Sequence, residues 1–209
     1  MIQRNTCYNC YRPKDSCMCE YINPIDTKTK FVILMHPKEY RKTKNGTGHF
    51  TNKSLNNSEI YIGIDFTKHK KINQLLDNKN NECFILYPGN ENIKLNSQKL
   101  QTNKNIVLFI IDSTWACSKK MLRVSENLKN LKKVSFESDR LSNFRIKAQP
   151  KDYCLSTIES TQFILELLNN QNIENIDEKS LNDFTRPFNK MVEYQINCIE
   201  KTKDMRYKE

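Results

Sequence analysis

No apolar run in this sequence approaches the roughly 20 residues that a membrane-spanning helix needs, and Met1-Ile2-Gln3-Arg4 leads into polar residues and cysteines, not a signal-peptide core. The expectation is a cytoplasmic protein with no membrane partner. Glycine is scarce, with 4 in 209 residues, and alanine scarcer still, while Asn and Lys abound. An AT-rich genome writes that bias, so a single lysine is weak evidence for a binding surface. Acidic residues fall short of basic ones, 24 against 34, giving a net charge of +10 and a pI near 9.1, which favours an anionic partner such as nucleic acid. Internal repeats are absent. At 24.8 kDa the chain can bury one sizeable core but is too short for two full enzymatic domains.

Four short apolar runs punctuate the chain: Phe31 to Met35, Ile60 to Ile64, Cys83 to Tyr87 and Ile106 to Ile111. They are β-branched or aromatic, and apolar on both sides, as strands of a parallel sheet covered on both faces would be. Between them lie polar, helix-compatible stretches. From Thr114 to Leu128 the apolar positions fall near helical spacing with Lys119, Lys120 and Arg123 interleaved. Ser156-Thr157-Ile158-Glu159 has the form of a capping box and announces a second helix, ending at the Asn-rich stretch 169–172. A last helix is expected over about 180–203, kinked or restarted at Pro187. Segments 78–81, 90–105 and 169–182 read as surface loops. Strands alternating with helices make the fold class α/β.

Of the eight cysteines, Cys7, Cys10, Cys17 and Cys19 crowd into thirteen residues, while the others are scattered. In a reducing compartment this points to a metal cluster rather than disulfides. A two-residue spacer lets both sulfurs of a pair face one tetrahedral zinc; the one-residue spacer of the second pair is less usual but can still chelate. Zinc is the leading expectation, with an iron–sulfur cluster and unliganded thiols as alternatives. Four thiolates leave no open position, so the metal would be structural. The division expected is a cysteine-rich knuckle over 1–25 and a catalytic domain over 26–209.

Asp112-Ser113-Thr114-Trp115 falls where the most apolar strand ends and a helix begins, the place at which open α/β sheets build ligand sites. The same residues are also good helix N-caps, and the one Trp could be core. Both readings stand on the residues alone.

These four residues resemble the DxTW signature of the DTW-domain family, and the resemblance extends in family order along nearly the whole chain. His36-Pro37-Lys38-Glu39 followed by Asn45-Gly46-Thr47-Gly48, then Leu86-Tyr87-Pro88-Gly89, then Ser142-Asn143-Phe144-Arg145 with Gln149-Pro150, then Leu155-Ser156-Thr157-Ile158-Glu159, and finally Phe188 to Gln195 are similar to its successive blocks. Ser160 and Lys147 depart from the family's usual Ala and Arg.

The resemblance implies a SPOUT-like, mostly parallel sheet flanked by helices, often knotted in that class. It implies transfer of the 3-amino-3-carboxypropyl group of S-adenosylmethionine to N3 of a tRNA uridine, with release of 5′-methylthioadenosine. Asp112 is then expected as general base, Thr114 as a hydroxyl holding Asp112 or the donor, and Trp115 as a packing surface for adenine, sulfonium or target base. The donor loops implied are Leu86, Tyr87, Pro88 and Gly89, and Leu155, Ser156, Thr157 and Glu159, the latter group at a helix N-terminus suited to a carboxylate. His36, Arg41, Lys42, Asn45 and Arg145 are the expected tRNA contacts, with Lys44, His49, Arg140 and Lys147 on the same basic loops. Nothing calls for an obligate protein partner. Two rivals remain open: a SPOUT-type RNA methyltransferase using the same donor, and a zinc-containing RNA-binding module without catalysis.

Overall fold

The computed structural model describes residues 5–10, 12–41, 46–89, 91–146 and 154–206. Six strands form one sheet: β1 (Lys30–Met35), β2 (Ser58–Ile62), β3 (Asn81–Leu86), β4 (Ile93–Lys94), β5 (Asn105–Asp112) and β6 (Lys132–Ser135), in the order β2-β1-β5-β3-β6-β4. Every described strand pair is parallel. The helices are α1 (Pro37–Tyr40), α2 (Thr47–Lys53), α3 (Lys70–Asp77), α4 (Trp115–Val124), α5 (Thr157–Asn170), α6 (Glu178–Asp183) and α7 (Arg186–Arg206).

The continuous apolar runs of β1, β3 and β5 are explained by burial on both sides, whereas the run from Ile60 lies on the edge strand β2, which is only half-buried and leaves Ile62 exposed. On β5, Ile106, Leu108 and Ile110 face a core shared with α2, α5, α6 and α7, while Val107 and Phe109 face a second core with α3 and α4. β1 and β3 alternate in step, Phe31 and Phe84 to the first core and Val32, Leu34 and Ile85 to the second. Full burial of each such side chain contributes about 1.5–3 kcal/mol, so both helical layers are needed to hold the sheet.

The structure differs from the sequence expectations mainly at edges. β6, with two exposed lysines and one buried valine, and the two-residue β4 carry too little apolar signal to read as strands. β4 lies within a stretch expected to be loop. The helix expected over 114–128 stops at Val124, because the fully buried Ser125 leaves helical geometry and its hydroxyl accepts the Phe66 amide at 3.1 Å; a 3-10 turn, Glu126–Leu128, follows. Pro187 restarts the last helix: it is the second residue of α7, where its missing N–H costs no helical hydrogen bond. None of the described helices is long and apolar enough to cross a membrane.

Connections from β1 to β2 and from β5 to β6 depart in opposite directions across the sheet. The adjacent C-terminal ends of β1 and β5 are therefore a topological switch point, where an open α/β sheet leaves a crevice for a ligand.

Candidate active site

Met35 and Asp112 are partners in register at that switch point, and the His36 amide donates to the Asp112 carbonyl at 3.1 Å. Along β5 the Asp112 side chain continues the row of Ile106, Leu108 and Ile110, so it points toward α2 and α5. Asp112 is only 8% exposed. Thr157, the first residue of α5, donates its hydroxyl to Asp112 Oδ1 at 2.6 Å. On the other side Gly48 of α2 comes so close that a Cβ there would stand 2.8 Å from Asp112 Cγ and closer still to Oδ2.

Thr114 occupies the N-cap position of α4, where its carbonyl accepts the Ser118 amide at 2.8 Å; its side chain is exposed and makes no capping bond. The hydroxyl on Asp112 thus comes from Thr157 and not from Thr114. Trp115 opens α4 half-exposed, and its ring meets that of Tyr87 edge-on with centroids 6.5 Å apart. Leu86 ends β3 and Tyr87 follows it, the Tyr87 amide donating to the Val134 carbonyl at 3.1 Å. Pro88 and Gly89 lie just beyond it, towards solvent. The third strand end therefore brings an aromatic edge to the same corner as Asp112.

Ser156 caps α5, and Glu159 accepts from the Ser156 amide at 2.8 Å and its hydroxyl at 2.5 Å. The same carboxylate accepts the Ser142 hydroxyl at 2.8 Å and the Asn143 amide at 2.7 Å. Glu159 consequently ties the loop carrying Arg145 to the helix that carries Thr157. Leu155 is half-buried just before the cap.

His36 is 6% exposed and caps α1, its Nδ1 accepting the Lys38 amide at 3.1 Å. Burial first, then the charges of Lys38 and Lys120, hold it below the ordinary histidine value. With Nδ1 accepting, the ring hydrogen is on Nε2, and Lys38 and Lys120 supply positive charge around it. Arg41 and Arg145 are exposed and open to an anionic ligand. Arg140 is instead engaged with Glu166, at 2.9 and 2.7 Å, and stacks on Phe163. Lys42, Lys44 and Asn45, and Lys147, Gln149 and Pro150, lie outside the described residues.

The four cysteine sulfurs lie within 4.8 Å of one another, with Cys7 and Cys19 at 3.9 Å and Cys10 and Cys17 at 3.7 Å. Zinc–sulfur bonds of about 2.3 Å in a tetrahedron require sulfurs about 3.8 Å apart, so the donor set fits the metal. Burial and neighbouring thiols push Cys19 up, a cost that a bound cation removes. The cluster folds as a hairpin closed by the Cys7 amide to the Arg12 carbonyl, 2.8 Å, and docks with Arg12 stacked 4.0 Å from the Phe50 ring of α2.

Two surface depressions of about 500 and 350 Å³ are elsewhere, lined by Glu82 and 101–104 and by 26–28 with Glu174 and Asn175. Both lie near the N-terminal ends of strands. They are open and polar, and no switch point is there.

A family model described as the DTW domain matches residues 4–196. The chain belongs to the DTW domain family. The tRNA-uridine aminocarboxypropyltransferase 2 of Drosophila melanogaster is 26% identical over 202 residues, covering 93% of this chain and 76% of the fly protein. Proteins of the same name from Mus musculus and Macaca fascicularis are 26% and 27% identical over 175 residues, 81% of this chain. The chain spans 58% of each of those mammalian proteins. No solved structure matches it.

The DTW signature residues thus end the central strand and open α4, and the other family-like blocks meet them there: His36 after β1, Gly48 in α2, Tyr87 after β3, Thr157 at the start of α5. Gly48 falls within one of those blocks, yet spacing alone gives it no role. Its closeness to Asp112 depends on a crossover that lays α2 beside β5.

Proposed function

We propose that this DTW domain protein is a tRNA-uridine aminocarboxypropyltransferase, working from the Asp112 corner of the sheet. The observation that carries the reading is the convergence on Asp112, at the switch point, of a bonding hydroxyl and an aromatic edge, with Lys38 and Lys120 supplying positive charge around the neighbouring His36. S-adenosylmethionine, the donor, supplies a γ-carbon activated by its sulfonium, and 5′-methylthioadenosine leaves.

Uridine N3 carries a proton that must depart before the nitrogen can attack. Asp112 accepts it, oriented by Thr157. Trp115 and Tyr87 offer aromatic surface to a base or to the sulfonium. The N-terminus of α5, at Ser156 and Thr157, faces the same corner and favours a carboxylate there, as the methionine moiety requires. Arg41 and Arg145 pair with tRNA phosphates, joined by Lys42 and Asn45 of the same loop, and His36 donates from Nε2. Leu86, Pro88, Gly89 and Leu155 shape the donor loops, and Thr114 presents its hydroxyl at the entrance.

Cys7, Cys10, Cys17 and Cys19 hold a structural zinc, which leaves no coordination position for substrate. The knuckle, 1–25, thereby braces α2 from behind in the catalytic domain, 26–209. Reduced thiols and a tRNA substrate support a cytoplasmic location.

Incubation with S-adenosylmethionine and unmodified tRNA, followed by chromatography of the spent donor, tests the reading. Methylthioadenosine formed only when tRNA is present is the expected product. S-adenosylhomocysteine would make the protein a methyltransferase, and tRNA binding without donor consumption would make it a binding module.

A further inference from the structure

Two contacts of different kinds bear on the Asp112 carboxylate. Thr157 Oγ1 lies 2.6 Å from Oδ1, and a carboxylate only accepts, so the hydroxyl hydrogen is committed to Asp112. Thr157 itself is held in place by the capping of α5 through Ser156 and Glu159. The opposite contact is steric. A Cβ on Gly48 would stand 2.8 Å from Cγ of Asp112 and closer still to Oδ2. No described glycine has a positive φ, so glycine is required at 48 for room and not for backbone conformation.

We propose that Thr157 and Gly48 are positioning residues that fix the orientation of the Asp112 carboxylate for proton acceptance, Thr157 by a hydrogen bond to Oδ1 and Gly48 by leaving space for Oδ2. The inference rests on the functional reading above and deepens it. It also separates two roles for Thr157. A hydroxyl that has given its hydrogen to Asp112 cannot donate to the donor's carboxylate, so the hydroxyl serves Asp112 and the helix N-terminus serves the donor.

A double-mutant cycle on folding, Thr157→Val with Asp112→Ala, reads the first contact without any turnover, since an asparagine at 112 would keep an Oδ1 acceptor for the hydroxyl. The two changes should be coupled by about three- to thirtyfold in the unfolding equilibrium; additivity overturns the contact. A Cβ at 48 would also meet Met35 Cε at 2.8 Å, so Gly48→Ala should destabilise the protein and the penalty should be smaller, with the Met35 part left, in an Asp112→Ala background. An equal penalty in both backgrounds overturns the steric role.

In the transfer assay, Thr157→Val should lose about 10- to 100-fold in kcat. Calorimetric binding of S-adenosylmethionine should stay within about threefold of the unaltered protein, and Thr157→Ser should restore turnover. A Thr157→Val protein that keeps full kcat, or one whose donor affinity falls in step with kcat, overturns the positioning role. If the unaltered protein transfers nothing, the functional reading fails, while the folding cycles still decide whether Thr157 and Gly48 hold Asp112.

Discussion

Replacing Glu159 by alanine should cost this protein about 2–3 kcal/mol, because one carboxylate closes two separate pieces of structure. At the helix end it accepts the Ser156 amide and hydroxyl, and loss of such a cap is worth about 1 kcal/mol. At the loop end it accepts the Ser142 hydroxyl and the Asn143 amide, and a half-buried amide left without its acceptor costs a further 1–2 kcal/mol, roughly. For a chain near 200 residues each kcal/mol moves the midpoint by about 2–4 °C, so the loss is about 4–12 °C. Glu159→Gln should fall between: its amide oxygen serves one donor, the hydroxyls can turn to accept, and one backbone amide stays unpaired. Urea titration and thermal melting followed by circular dichroism measure both variants. A Glu159→Ala protein within about 0.5 kcal/mol of the unaltered chain, the usual range for a surface change, would refute the reasoning. So would normal stability combined with lost donor affinity, which would return Glu159 to the donor site.

Burial, with Lys38 and Lys120 for His36 and with Arg12 and Lys53 for His49, holds both histidines below their ordinary value near 6.5. The unfolded chain then binds more protons than the native one as pH falls through that value, so stability is full above it and declines on acidification; His49→Gln should flatten the decline in melts between pH 7.5 and 5.5, roughly, and an unchanged slope in that variant would contradict it. Metal analysis should find about one zinc per chain, and chelation at neutral pH should lower the melting temperature by unfolding the knuckle; a metal-free chain of equal stability would contradict the cluster. The one tryptophan is half-exposed at the site, so its fluorescence should shift on addition of S-adenosylmethionine, and Trp115→Phe should abolish the signal. Emission unaffected by the donor would move Trp115 away from its site.

The central sheet is legible in the sequence because β1, β3 and β5 are buried on both faces and therefore carry unbroken apolar runs. β6 is not, since its Lys132 and Lys133 point to solvent and only Val134 is buried. The position of Asp112 at a strand end can be read from Ile106 to Ile111, and the capping box from Ser156 and Glu159. What stays hidden is the pairing of Thr157 with Asp112, 45 positions apart, and the approach of Gly48. Both arise from the way crossovers stack α2 and α5 on one face, which periodicity does not encode. His36 is legible as a site residue, but its uncharged state follows from burial that only the fold creates.

The most direct test of the account is nucleoside analysis by mass spectrometry of tRNA incubated with S-adenosylmethionine and either the unaltered protein or Asp112→Asn. The account predicts 3-(3-amino-3-carboxypropyl)uridine with the unaltered protein and a loss of about 100-fold or more with the variant. A methylated nucleoside, or equal modification by the two proteins, would contradict it.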